Sequence, residues 1–165
     1  MEPQACHAQL AQLLTEEQLL LALLTQQLQR EHELLTINDV EGMEQAADAR
    51  QASVAKLLRL DDDRRNLCRL LGQGADPIGL GVVMQWCDPT GDLQPAHTEV
   101  SRLAQRCREQ NDRNGMLVNA RLSRVSGMLD MLNGGSAPSG RTYESRGVPR
   151  GPTNPQAGRM VSVSA

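Results

Sequence analysis

The sequence predicts an all-α protein: a long antiparallel helical hairpin and a third long helix, packed as a coiled-coil-like three-helix bundle, with a disordered C-terminal tail. Three observations lead there. Leucines recur at steps of three, four and seven through most of the first 133 residues, the period of one helix face and not of a strand. The chain has no Phe, one Trp and one Tyr, so its core must be filled by Leu, Val, Met and Ala, as in long helices and coiled coils. Composition then changes abruptly at Gly134-Gly135. About half of residues 134–165 are Gly, Pro or Ser, too little apolar surface to offset the entropy of ordering. The domain division is therefore 1–133, helical, and 134–165, tail.

The first helix is expected at about 3–35. Leu14, Leu21, Leu28 and Leu35 repeat every seven residues, with Leu10 and Leu24 at the matching offset. This is a heptad seam broken at Glu17 and Glu31. Leu13, Leu20 and Leu34 widen it, as for a helix with two neighbours. Asn38, with Glu41 three residues on, has the pattern of a cap opening a second helix at about 39–71. Its apolar face reads Val40, Met43, Ala47, Val54, Leu57, Leu58, Leu67, Leu70 and Leu71. Between them, Asp61-Asp62-Asp63-Arg64-Arg65 is a solvated helix face with pairing at three and four residues, since consecutive carboxylates on a helix diverge and cannot converge on one ion.

Gly72-Gln73-Gly74 ends the second helix. Asp76 followed by Pro77 is a cap with proline at the first helical position, opening a short apolar helix at 77–86 in which Trp86 is expected to close one end of the bundle. A polar loop from Cys87 to Asp92 leads to the third long helix, about 95–133. Its second half places Leu117, Val118, Leu122, Val125, Met128, Leu129 and Leu132 on one stripe. Gln110, Asn111, Asn114 and Gly115 interrupt that stripe upstream, and the polar gap is expected to loosen the helix there, so that its C-terminal half can swing. An apolar stripe of that length requires a partner, and on a chain nearly free of aromatics the fitting partner is another helix.

The remaining features exclude more than they assign. The formal net charge is −3, with four arginines against one glutamate in residues 134–165. Nucleic-acid binding needs a denser basic face with stacking aromatics, so no nucleic acid is expected as a partner. The four cysteines lie 62, 19 and 20 residues apart with no CxxC pair, neither a disulfide framework nor a zinc pattern. Unpaired thiols, no signal-peptide pattern at MEPQACHAQL and no membrane-length apolar run point to a cytoplasmic protein with no membrane insertion. No phosphate loop, HExxH or Ser/His/Asp grouping is present. His7, His32 and His97 are scattered, with His32 read as solvated surface. No enzyme activity, metal or cofactor is expected.

The third helix, read with the tail, resembles the FlgN family of flagellar type III export chaperones. The resemblance rests on NDRNG (Asn111, Asn114, Gly115), the following Leu117, the leucine-bearing helix to Leu129 and Leu132, and TYESRG in the tail. It implies a bacterial cytoplasmic protein that binds the C-terminal helices of hook-associated (hook–filament junction) proteins, prevents their early assembly and delivers them to the flagellar export gate and ATPase complex. The residues it implicates in partner binding are Leu117, Val118, Leu122, Val125, Met128, Leu129 and Leu132, with Asn111, Asn114 and Gly115 as a polar motif. Tyr143 resembles a tail tyrosine that docks at the export machinery; from the residues alone, an isolated aromatic there is either incidental or an anchor.

Three other readings are open. A structural coiled-coil or adaptor protein with no export client predicts that charging the stripe unfolds the domain. A nucleic-acid-binding regulator predicts salt-sensitive binding lost with the tail. A thiol redox protein predicts dependence on the cysteines. Heptad seams also leave oligomeric state open, a homodimer included.

Overall fold

A computed structural model describes residues 1–133. The elements are α1 (Pro3–Ile37), α2 (Val40–Leu70), α3 (Pro77–Cys87) and α4 (Gln94–Leu132), with no strand among the described residues. The helical fold agrees with the periodicity, and each helix begins and ends within about two residues of its expected place. The expected tail lies outside the described residues. The chain divides into two units, Met1–Leu122 and a second beginning at Ser123.

In the first unit, α1 and α2 form the hairpin. The buried side of α1 is Leu10, Leu14, Leu21, Leu24, Leu28, Glu31 and Leu35, with Glu17 half-buried in the same series. That series steps by four and three throughout, so Glu17 and Glu31 do not break the seam; they occupy it. Their partners come from α2. Arg50 Nε lies 2.8 Å from Glu31 Oε1, and Arg64 Nη1 lies 3.2 Å from Glu17 Oε2. Glu31 is only 4% exposed. Two ion pairs, two heptads apart on each helix, therefore fix the antiparallel register, since sliding either helix would strand a buried carboxylate.

The inward face of α2 is not the one its apolar residues indicate. Ser53, Leu60, Leu67 and Cys68 are buried, with Arg50, Leu57 and Arg64 half-buried beside them. Val40, Val54, Leu58 and Leu70 are exposed. The inward series (50, 53, 57, 60, 64, 67) contains three polar residues, so hydropathy alone selects the neighbouring stripe. The Asp61 carboxylate pairs with Arg64 and Arg65 within α2, as expected of that charge run.

The hairpin turn is a two-residue device. Asn38 adopts the left-handed conformation (φ 62°, ψ 38°) and its amide closes α1 on the Leu34 and Leu35 carbonyls; asparagine tolerates this geometry better than most residues. The cap of α2 is Asp39, which accepts from the Gly42 amide at 2.9 Å. Asn38 thus ends one helix instead of opening the next. Asp76 caps α3 as expected, accepting from Gly79 N at 2.7 Å. α3 inserts Leu80, Val83, Met84 and Cys87 into the core, but Trp86 is 45% exposed. It lies beside Leu71, Val82 and Val83 along a shallow cavity of about 210 Å³, not as a plug in the bundle.

Within the first unit α4 runs in the same direction as α1. Gln18 donates to the Ala96 carbonyl at 3.1 Å, the Cys107 thiol lies 3.2 Å from Thr25 Oγ1, and Asn114 reaches the Leu28 carbonyl at 2.8 Å. Val100, Leu103, Cys107, Gln110 and Asn114 are its buried residues, again at steps of three and four. In the second unit, residues 123–132 continue as helix and all are exposed.

Candidate interaction surface

The outer half of α4 carries the residues singled out from the sequence, and they separate into two groups with different environments. Asn114 is 5% exposed. Its amide nitrogen donates to the Leu28 carbonyl, which leaves its oxygen to accept from His32 Nδ1 at 3.0 Å. Gln110 is also buried and donates to Gln29 Oε1 at 2.7 Å. The expected polar gap is therefore a packed, hydrogen-bonded layer, and α4 passes through it as unbroken helix. His32 is half-buried by this contact and is not free surface. The helix period marked His32 as a non-seam position of α1, but nothing in the local sequence could announce a partner 82 residues away.

Asn111 and Gly115 stand apart from Asn114. Both are exposed, and a Cβ at Gly115 would meet nothing within 4 Å. The three members of the polar motif do not form one site: Asn114 holds α4 to α1, while Asn111 and Gly115 face outward.

The apolar residues form the second group. Leu117 is half-buried. Val118, Leu122 (63% exposed), Val125, Met128, Leu129 and Leu132 (82%) are all exposed. A leucine normally removed from water gains about 1.5–3 kcal/mol by that removal, and among the described residues this stripe leaves most of that gain unrealised. Val118, Leu122, Val125, Leu129 and Leu132 follow steps of four, three, four and three, the spacing of a coiled-coil seam. Met116 and Met131 are exposed as well, adding unbranched, adaptable side chains of the kind suited to partners of varied shape. Tyr143 lies outside the described residues.

One residue that the sequence did not single out borders this seam. Arg121 donates to Asn38 Oδ1 at 2.8 Å and to the Thr36 carbonyl at 3.4 Å, satisfying a carbonyl at the end of α1. Two further clusters are core and loop chemistry. Cys6, Cys68, Cys87 and Cys107 are free and buried. Burial, reinforced by the neighbouring Cys87 thiol, pushes the Cys6 thiol up to about 12, so it is protonated and unreactive. His7, Asp88 and Asp92 converge, with His7 Nε2 3.8 Å from Asp88 Oδ1. The Asp88 carboxylate is already engaged by the Leu93 and Asp92 amides at 2.7 and 3.0 Å, which makes it the organiser of the loop entering α4. Those amide bonds hold its pKa below the usual aspartate value.

No helix of the described residues is long and apolar enough to cross a membrane. Exposed apolar residues at heptad spacing on a last helix are the kind of surface through which helical proteins take up a partner helix. The comparison with protein families agrees and is more specific: residues 6–151 match the family described as FlgN protein. The chain belongs to the FlgN family, the flagellar export chaperones. No curated protein and no solved structure matches it.

Proposed function

We propose that this chain is a cytoplasmic chaperone for hook-associated proteins, holding the C-terminal helical segment of a hook–filament junction protein against the α4 seam until export. The observation that carries the reading is the exposed series Val118, Leu122, Val125, Leu129 and Leu132. Filament-type subunits assemble through terminal helices that are adhesive by nature. An amphipathic helix with an open seam offers such a segment a temporary partner and blocks premature assembly. Burying about six Leu, Val and Met side chains contributes roughly 10 kcal/mol before ordering costs. After those costs the complex remains tight yet reversible, as delivery to the export gate requires. Tyr143 is proposed as the contact with that machinery.

The test is binding of the full chain to peptides spanning the C-terminal helices of junction proteins. Leu122→Asp and Leu129→Asp are expected to abolish binding while circular dichroism keeps its helical amplitude. Undiminished binding by both variants overturns the reading. Unfolding of both variants favours instead a structural bundle with no client.

A further inference from the structure

One row of α4 runs the length of the first unit. Leu122, Val118, Gly115, Asn111, Arg108 and Ala104 follow alternating steps of four and three, so they share one side of the helix. All are exposed except Ala104, which is half-buried. The same steps lead on to Ser101 and His97, and there the row enters a cavity of about 430 Å³. Asp61 and Arg65 of α2 line it together with Ala104, Ser101 and His97, Glu17 of α1 lies between them, and Pro77 and Leu80 of α3 complete the lining. We infer that this cavity receives the carboxyl end of the client's helix, which lies along the row with its C-terminus toward the start of α4.

The inference rests on the proposed escort role and adds to it an orientation and a recognised group. A helix laid along the row from Leu122 to Ala104 covers about 27 Å and meets α3 at the end of its path, so a helix terminus, not a passing chain, fits there. The charges select which terminus. Three carboxylates line the cavity, and each is engaged: Glu17 by Arg64, Asp61 by Arg64 and Arg65, and Asp76 by the Gly79 amide. Arg108 and His97 line it too, and their side chains have no hydrogen-bond or ion-pair partner among the described residues. Arg65 spends only its Nε on Asp61. Spare donors of this kind match the negative end of a helix and its terminal carboxylate, and repel the positive end. Capture of a C-terminal carboxylate is an established mode of peptide recognition. Midway along the row, a Cβ at Gly115 would meet nothing within 4 Å, which leaves room for a partner backbone to approach closely.

The experiment compares two forms of one peptide, the C-terminal helix of a junction protein with a free carboxylate and with a C-terminal amide. Both are titrated against the full chain. The free acid is expected to bind at least about fivefold more tightly. Arg108→Gln, at an exposed position, should keep the helicity and bring the two affinities together. Equal affinity of both forms for the native chain overturns the inference and leaves the escort role standing. A preference that survives undiminished in Arg108→Gln also overturns it, since the carboxylate is then read elsewhere. Failure of both forms to bind the native chain overturns the escort role, and this inference with it.

Discussion

At the scale of single residues, the ion pairs in the hairpin seam give the sharpest expectations. Glu31 is buried beside Arg50, so Arg50→Ala leaves a carboxylate without its partner and should cost about 1–3 kcal/mol in chemical denaturation. Burial raises the pKa values of Glu31 and Glu17 above the usual 4.5, while Arg50 and Arg64 oppose the shift. For a raised carboxylate the folded state binds the proton more readily than the unfolded chain. Its contribution to stability is therefore full below the ordinary glutamate pKa and is lost as pH rises through the folded value. Denaturation midpoints measured upward from about pH 4.5 should fall less steeply in Glu17→Gln/Glu31→Gln than in the native protein. An identical slope in both would show that these carboxylates do not titrate abnormally.

At the scale of elements, α1 was legible in its extent and its leucine face, though not in the seam positions of Glu17 and Glu31 or the contact of His32, and α2 only in its extent. α1 places leucine at nearly every inward position, so its face could be read from hydropathy. The inward face of α2 holds Arg50, Ser53 and Arg64, and hydropathy chose the exposed stripe with Val54 and Leu58 instead. The missing signal was present as a matched interval: Glu17 and Glu31 are two heptads apart, and so are Arg50 and Arg64. In an antiparallel hairpin that match predicts two ion pairs. α3 was placed correctly, but the direction of Trp86 could not be read because Ile78, Val82 and Trp86 are as apolar as the face that is buried. Two substitutions separate core from surface. Leu28→Ala, in the α1 core, should cost about 2–5 kcal/mol, whereas Leu122→Asp should change stability by no more than about 0.5 kcal/mol. Gly79 supplies a third test. A Cβ there would stand 2.0 Å from the Gly74 carbonyl oxygen, so Gly79→Ala should destabilise by about 1–3 kcal/mol through forced displacement of that loop.

At the scale of the whole molecule, the apolar seam of α4 was legible because nothing polar interrupts its heptad spacing. Its environment was not, since the periodicity of one helix does not say what stands beside it. The sequence also presented Gln110 and Asn114 as a weak point, although each has a defined partner on α1. Family membership covers residues 6–151, and the open seam lies within that span. On the proposed reading the protein combines a hairpin that sets register, a polar layer that ties α4 to α1, and an exposed seam offered to another molecule. Hydrogen exchange of the full chain, with and without a junction protein's C-terminal helix, tests that division most directly. The account predicts new protection over residues 117–132, with the hairpin amides unchanged. Protection gained on the hairpin while residues 117–132 exchange as before would contradict it.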